Sequence, residues 1–132
     1  MILDHIGIAV RSIESRLEIW KGALGLTLMN IEEVPDQHVR IAKLDVRGTQ
    51  IELLEPLDEQ SPIKKFIEKK GEGVHHLCFR VDDIEKIIKE LKDQGIRMID
   101  EIPRIGAGGS KIAFIHPKDM GGVLIELTQA IG

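Results

Sequence analysis

The chain has 132 residues, enough for one domain with a real core and too few for two unrelated ones. Its 22 acidic side chains against 18 basic ones argue against nucleic acid or an anionic membrane as a bulk partner. The one cysteine, Cys78, excludes an internal disulfide framework and fits a reducing, cytoplasmic compartment.

The opening residues, MILDHIGIAV, alternate as a strand over positions 2–10. They lack the charged segment and cleavage site of a signal peptide, and no apolar run reaches the roughly 18 residues of a membrane span. A soluble intracellular protein is therefore expected. Ser12 then caps a helix whose apolar stripe is Ile13, Leu17, Trp20 and Leu24, with Gly25 as its stop. Extended runs follow over 26–34, 39–46 and 50–54, with turns at Pro35-Asp36 and Arg47-Gly48. Ser61-Pro62 opens a short helix with Ile63, Phe66 and Ile67 on one face, closed by Gly71.

The same order then starts again. Positions 74–81 form a strand, and Asp82 with Glu85 three residues on is a capping signal. The helix it opens turns Ile84, Ile87, Ile88 and Leu91 inward and stops at Gly95. Extended runs follow over 96–102, 111–115 and 123–128, the first two separated by a loop holding Gly106, Gly108 and Gly109.

Both halves thus read β-α-β-β-β. Laying His5 on His76, an offset of 71 (76 − 5), puts Ile6, Ile8, Val10, Ile13 and Leu17 on Leu77, Phe79, Val81, Ile84 and Ile88. Near the ends of the halves, Ile51-Glu52-Leu53 falls on Ile125-Glu126-Leu127, an offset of 74 (126 − 52). The three extra residues are assigned to the glycine-rich loop. The expected architecture is a single α+β domain over 1–132, with module one at about 1–57, a linker helix at 61–70 and module two at about 73–130.

Strand residues alternate faces, so Ile6, Ile8 and Val10 pack under the helix while His5, Gly7 and Ala9 face the other way. In the second copy Leu77, Phe79 and Val81 pack, and His76, Cys78 and Arg80 face away. The phase of the repeat therefore selects His76 over His75. Glu52 and Glu126 lie inside the apolar strands IELL and LIEL, where a lone carboxylate is strongly disfavoured unless something positive pairs with it. Two imidazoles and two carboxylates make a neutral set for a divalent ion, so His5, Glu52, His76 and Glu126 are the expected metal ligands. Singly, each would be a surface or satisfied core residue; the two-fold relation makes them a set. Imidazole plus carboxylate suits Co, Mn, Ni, Fe or Zn better than calcium. Cys78 is read as a small packed thiol, His38 as exposed, and Lys64, Lys65, Lys69 and Lys70 as a solvated helix face.

Three segments, DHIGIAV, GEGVHHLCFRVDDI and HPKDMGGVLIELTQ, resemble the methylmalonyl-CoA epimerase family of the vicinal-oxygen-chelate superfamily, which includes glyoxalase I and the extradiol dioxygenases. The resemblance spans nearly the whole chain, from Leu3 to Gln129. It implies paired βαβββ modules forming a cup-shaped mixed sheet around a metal, in a homodimer. It matches the family's first-strand His to His5, the second His of its HH pair to His76, its last-strand Glu to Glu126, and its remaining ligand position to Glu52. The activity implied is interconversion of (R)- and (S)-methylmalonyl-CoA, with cobalt the preferred ion. Glu126 and then Glu52 are the expected acid/base groups. Some members place a further acid in the third strand; here Ile41 occupies that place, which leaves the second proton carrier open. The loop from Arg104 to Lys111 offers glycine amides and two bases to coenzyme A phosphates, or is a connector with two solvated bases. The alternatives are a lactoylglutathione lyase using the same ligands, or a metal-free small-molecule binding protein of the same fold.

Overall fold

The computed structural model describes residues 1–131. Eight strands are present: β1 (Ile2–Ala9), β2 (Thr27–Val34), β3 (Val39–Val46), β4 (Thr49–Pro56), β5 (Gly73–Arg80), β6 (Arg104–Ile105), β7 (Lys111–Ile115) and β8 (Ile125–Gln129). The α-helices are α1 (Ile13–Leu17), α2 (Pro62–Lys70) and α3 (Ile84–Asp93). The chain divides into two compact units, His5–His75 and, with Met1–Asp4, the chain from His76 onward.

Each unit carries the same strand order. The amino-terminal one runs β2-β3-β4-β1, with β4 parallel to β1 and the remaining pairs antiparallel. The carboxy-terminal one runs β6-β7-β8-β5, with β8 parallel to β5. Hence the βαβββ pattern is real in both halves, and its first and last strands are neighbours.

The register repeats residue for residue. Ile6, Gly7 and Ile8 sit against Ile51, Glu52 and Leu53; Leu77, Cys78 and Phe79 sit against Ile125, Glu126 and Leu127. In the antiparallel pairs, Ala42 opposes Leu53 and Ala113 opposes Leu127. Ala42 to Ala113 is still an offset of 71 (113 − 42), so the three extra residues are not in the glycine-rich loop. They lie between β7 and β8. A two-residue turn joins β3 to β4, with Arg47 and Gly48 at φ 49° and 98°, both left-handed as a tight hairpin requires. Its counterpart is a longer excursion with a 3₁₀ turn at Pro117–Met120.

A separate core fills each unit on the helix side of its strands. Val10, Ile13, Ala42, Leu44 and Leu53 form one, with Trp20 and Leu26 against it; Val81, Ile84, Ile88, Ala113, Ile115, Ile125 and Leu127 form the other. Each fully buried aliphatic side chain contributes about 1.5–3 kcal/mol by leaving water.

Three local expectations are corrected. The first helix is α-helical only to Leu17 and continues as a π-helix over Glu18–Ala23, so Leu24 leaves the stripe and is 63% exposed. Ser12 to Gly25 spans 13 positions (25 − 12), whereas Asp83 to Gly95 spans 12 (95 − 83); the π turn absorbs the extra residue. The cap of α3 is Asp83, whose carboxylate accepts the Lys86 N–H at 3.1 Å, rather than Asp82. Finally, the run 96–102 is not a strand. The Asp100 carboxylate accepts the Phe114 N–H at 2.8 Å in place of a ladder carbonyl, and Pro103 has no N–H to give. Pairing resumes only at the two residues of β6, opposite Ile112 and Lys111.

Candidate metal centre

The strand alternation that buries Leu53 and Leu127 in the cores turns Glu52 and Glu126 to the opposite face. Glu52 lies beside Gly7 on β1, two residues from His5 and on its face; Glu126 lies beside Cys78 on β5, two residues from His76. The small side chains at Gly7 and Cys78 leave room there. In the amino-terminal unit, Nδ1 of His5 is 3.3 Å from a carboxylate oxygen of Glu52. In the carboxy-terminal unit, Nε2 of His76 is 3.0 Å from a carboxylate oxygen of Glu126. Each unit by itself thus builds one histidine–carboxylate pair.

All four side chains are withdrawn from water, at 6% exposure for His5, 6% for Glu52, 5% for His76 and 7% for Glu126. A carboxylate so deeply buried is tolerated only when hydrogen-bonded and compensated. An imidazole supplies one nitrogen to that end and keeps a second for another partner. Borderline nitrogen donors beside hard carboxylate oxygens are the donor chemistry of a divalent transition-series ion, so the residues fit such a group. His75 faces the other way, with its ring edge-on to Phe66 of α2 at 5.0 Å between centroids. The two histidines thus face opposite ways, as the alternation of the strand predicts.

The residues flanking each acid were not singled out from the sequence. Lys43 lies directly across from Glu52 and Phe114 directly across from Glu126. The hairpin turn at Arg47-Gly48 was a usable signal, because it fixes every opposed pair along β3 and β4. The Phe114 ring meets His76 edge-on at 5.9 Å and so holds the imidazole plane.

The glycine-rich loop behaves as two separate features. Arg104 lies over the Phe114 ring at 5.8 Å and pairs with Asp100 at 3.3 Å. Lys111 instead reaches Glu85 on α3 at 2.9 Å, on the core side of β7. The two bases diverge, so they do not form a shared anion clamp. Gly106 is required sterically, since a Cβ there would come within 2.8 Å of the Ile112 side chain.

Away from the pairs, two carboxylates are strongly held. Arg16 and the Arg11 N–H hold Glu72 at a pKa of about 2, and Arg97 does the same for Asp119, also about 2. Glu72 ties α1 and the residues before it to the segment ahead of β5, and Asp119 ties its 3₁₀ turn to the segment after α3. His38 is half-exposed and pairs with Asp58 at 2.9 Å.

Comparison with known proteins follows the same lines. The family model described as Glyoxalase/Bleomycin resistance protein/Dioxygenase superfamily matches residues 4–114. The mitochondrial methylmalonyl-CoA epimerase of Homo sapiens is 40% identical over 129 residues, covering 97% of this chain and 73% of the human one. A crystal structure of methylmalonyl-CoA epimerase from Mycobacterium tuberculosis superposes with a TM-score of 0.93 at 45% identity, covering 98% of this chain and 88% of that one. A variant of the Streptomyces coelicolor methylmalonyl-CoA epimerase, in complex with 2-nitronate-propionyl-CoA, superposes with a TM-score of 0.93 at 36% identity, covering 100% and 96%.

Proposed function

We propose that this chain, which belongs to the glyoxalase/bleomycin resistance protein/dioxygenase superfamily, is a methylmalonyl-CoA epimerase interconverting the (R) and (S) forms of its substrate. The observation that carries the reading is the pair of buried histidine–carboxylate contacts, His5–Glu52 and His76–Glu126, built at equivalent places in the two repeats. Relatives named for this activity at 36–45% identity support it.

His5, Glu52, His76 and Glu126 together would hold one divalent ion, cobalt first, with manganese, nickel, zinc or iron as alternatives. When bound, that ion supplies Lewis acidity that favours negative charge on the substrate's thioester oxygen. The chain's own groups do the rest. A carboxylate oxygen of Glu126 takes the α-proton from one face, and Glu52, entering that turnover as its protonated carboxyl, is the candidate to deliver a proton from the other. Glu126 then holds the abstracted proton and Glu52 is left ionised, ready for the reverse direction. Ile41, at 4% exposure, is an apolar wall and carries no proton. His5 and His76, each with a ring nitrogen within 3.3 Å of its glutamate, help fix where those oxygens lie. Exclusion of water by the buried surroundings strengthens every charge interaction at the reacting carbon.

The test is deuterium entry at the α-carbon of methylmalonyl-CoA in D2O, with the metal-loaded and the chelator-treated protein compared. Metal-dependent exchange with conversion of one stereoisomer to the other is expected; absence of both removes the reading. Glutathione hemithioacetal run in parallel addresses a lactoylglutathione lyase, which would share the ligand set. A metal-free binding protein has no use for two buried His–Glu pairs. The proposal extends to a homodimer in the cytoplasm, supported by the exposed apolar residues Ile2 and Val74 on β1 and β5 and tested by sedimentation. No helix among the described residues is long and apolar enough to cross a membrane.

A further inference from the structure

We infer that Lys43 reads the free carboxylate of the substrate and so makes the site selective for malonyl-type thioesters over simple acyl thioesters; this rests on the epimerase reading above. The register carries it. Lys43 on β3 lies directly opposite Glu52 on β4, and directly opposed residues of antiparallel strands share a face. Ala42 and Leu44, its neighbours along the strand, belong to the core under the helix, which fixes Lys43 on the side of Glu52.

A lysine on that face is unusual in its setting. Its side chain is only 16% exposed, flanked by Ile41 at 4%, so most of the lysine stem is packed away from bulk water. Glu32 on β2 compensates it, with a carboxylate oxygen 3.4 Å from Nζ. The ammonium has three N–H donors, so this contact leaves capacity for a second anionic partner. The ion pair to Glu32 draws Nζ toward β2, and an ammonium so held on the Glu52 face of β3 is suited to an anion arriving on that face. Methylmalonyl-CoA brings one such group, the carboxylate on its α-carbon. The equivalent place in the other unit is Phe114, opposite Glu126, which offers no charge. The repeat has therefore put a cation directly across from the glutamate in one copy only. Glu32 is a positioning residue: it sets where Nζ lies and does not itself meet the substrate.

The experiment uses the metal-loaded protein and two ligands. KM and kcat are measured for methylmalonyl-CoA, and the inhibition constant for propionyl-CoA, which carries hydrogen where the substrate carries its carboxylate. For Lys43→Met, KM for methylmalonyl-CoA should rise by about 10–100-fold, as expected for losing a hydrogen bond between charged groups. Propionyl-CoA inhibition should stay within about twofold, because uniform binding of the remaining thioester is untouched. Lys43→Arg should restore most of the affinity, and Glu32→Gln should weaken methylmalonyl-CoA alone, by less than Lys43→Met. Thermal unfolding checks that each variant is folded. An unchanged KM in Lys43→Met, or an equal loss for both ligands, overturns the inference. Failure of the unsubstituted protein to epimerise at all would instead overturn the epimerase reading, so the two failures are separable.

Discussion

The two modules share a backbone register but differ in the charges they hang on it. In the amino-terminal module the residue across from the buried glutamate is a cation, Lys43, and the residue paired with Ile41 is an acid, Glu32. In the carboxy-terminal module the matching places hold an aromatic, Phe114, and a cation, Arg104, paired with Ile112. A His–Glu pair recurs in both, at 3.3 and 3.0 Å, but through Nδ1 of His5 in one and Nε2 of His76 in the other. Strand pairing and hydrogen-bond ladders constrain the backbone and the core side chains, so a duplicated module keeps them. Side chains on the opposite face answer to what meets them there, and that face is where the copies part. Each module thus sets its His–Glu pair beside unlike neighbours, a cation in one and an aromatic ring in the other.

The largest effects should come from breaking the shared element. His5→Ala and His76→Ala should each lower metal affinity by more than the roughly 10–100-fold typical of losing an outer-shell partner, measured as bound metal after dialysis. Retention of a full metal complement by either variant would remove it from the ligand set. Next in size, Leu53→Ala and Leu127→Ala sharpen the comparison of cores. Both residues are buried at matching places, at 0% and 2% exposure, and each truncation should cost about 2–5 kcal/mol in denaturant unfolding. A smaller effect of opposite sign is expected for Glu52→Gln and Glu126→Gln in metal-free protein. Removing a buried carboxylate charge should raise the apo melting temperature while abolishing the stabilisation that added metal confers.

The smallest effects separate local devices. Asp83→Ala should cost about 1 kcal/mol through loss of the α3 cap, and Asp82→Ala close to nothing, by thermal unfolding. Glu72 titrates differently in the folded chain: Arg16 and Arg11 depress its pKa from 4.5 to about 2. A depressed carboxylate pKa gives stability that is present above the unfolded value and lost as pH falls through the folded one. Stability should therefore decline between about pH 4.5 and 2, and Glu72→Gln should flatten that decline in a pH series of melting temperatures.

The repeat explains what the sequence reveals. His5, Glu52, His76 and Glu126 stand out because each pair sits at a fixed phase of an alternating strand, and alternation survives without knowledge of neighbours. The choice of His76 over His75 follows from phase alone. What escapes is whatever depends on one added residue or one competing acceptor. A single extra position between Ser12 and Gly25 turns the helix to π geometry and moves Leu24 off the stripe, though its composition reads as helical. The apolar pattern of 96–102 resembles a strand, but the Asp100 carboxylate replaces the ladder acceptor it needs. The three-residue insertion was assigned to the glycines because glycine marks loops; only the register shows it between β7 and β8.

The parallel pairing of β1 with β4, and of β5 with β8, sets the order in which the chain acquires its chemistry. In each module the histidine is carried by the opening strand and the glutamate by the closing one, so a loop of more than 40 residues must close before either meets its partner. The hairpin β3–β4 can zip locally through its two-residue turn, but the His–Glu contact waits for this long-range step. Each His–Glu contact is thereby expected to form late, when the long loop of its own module closes.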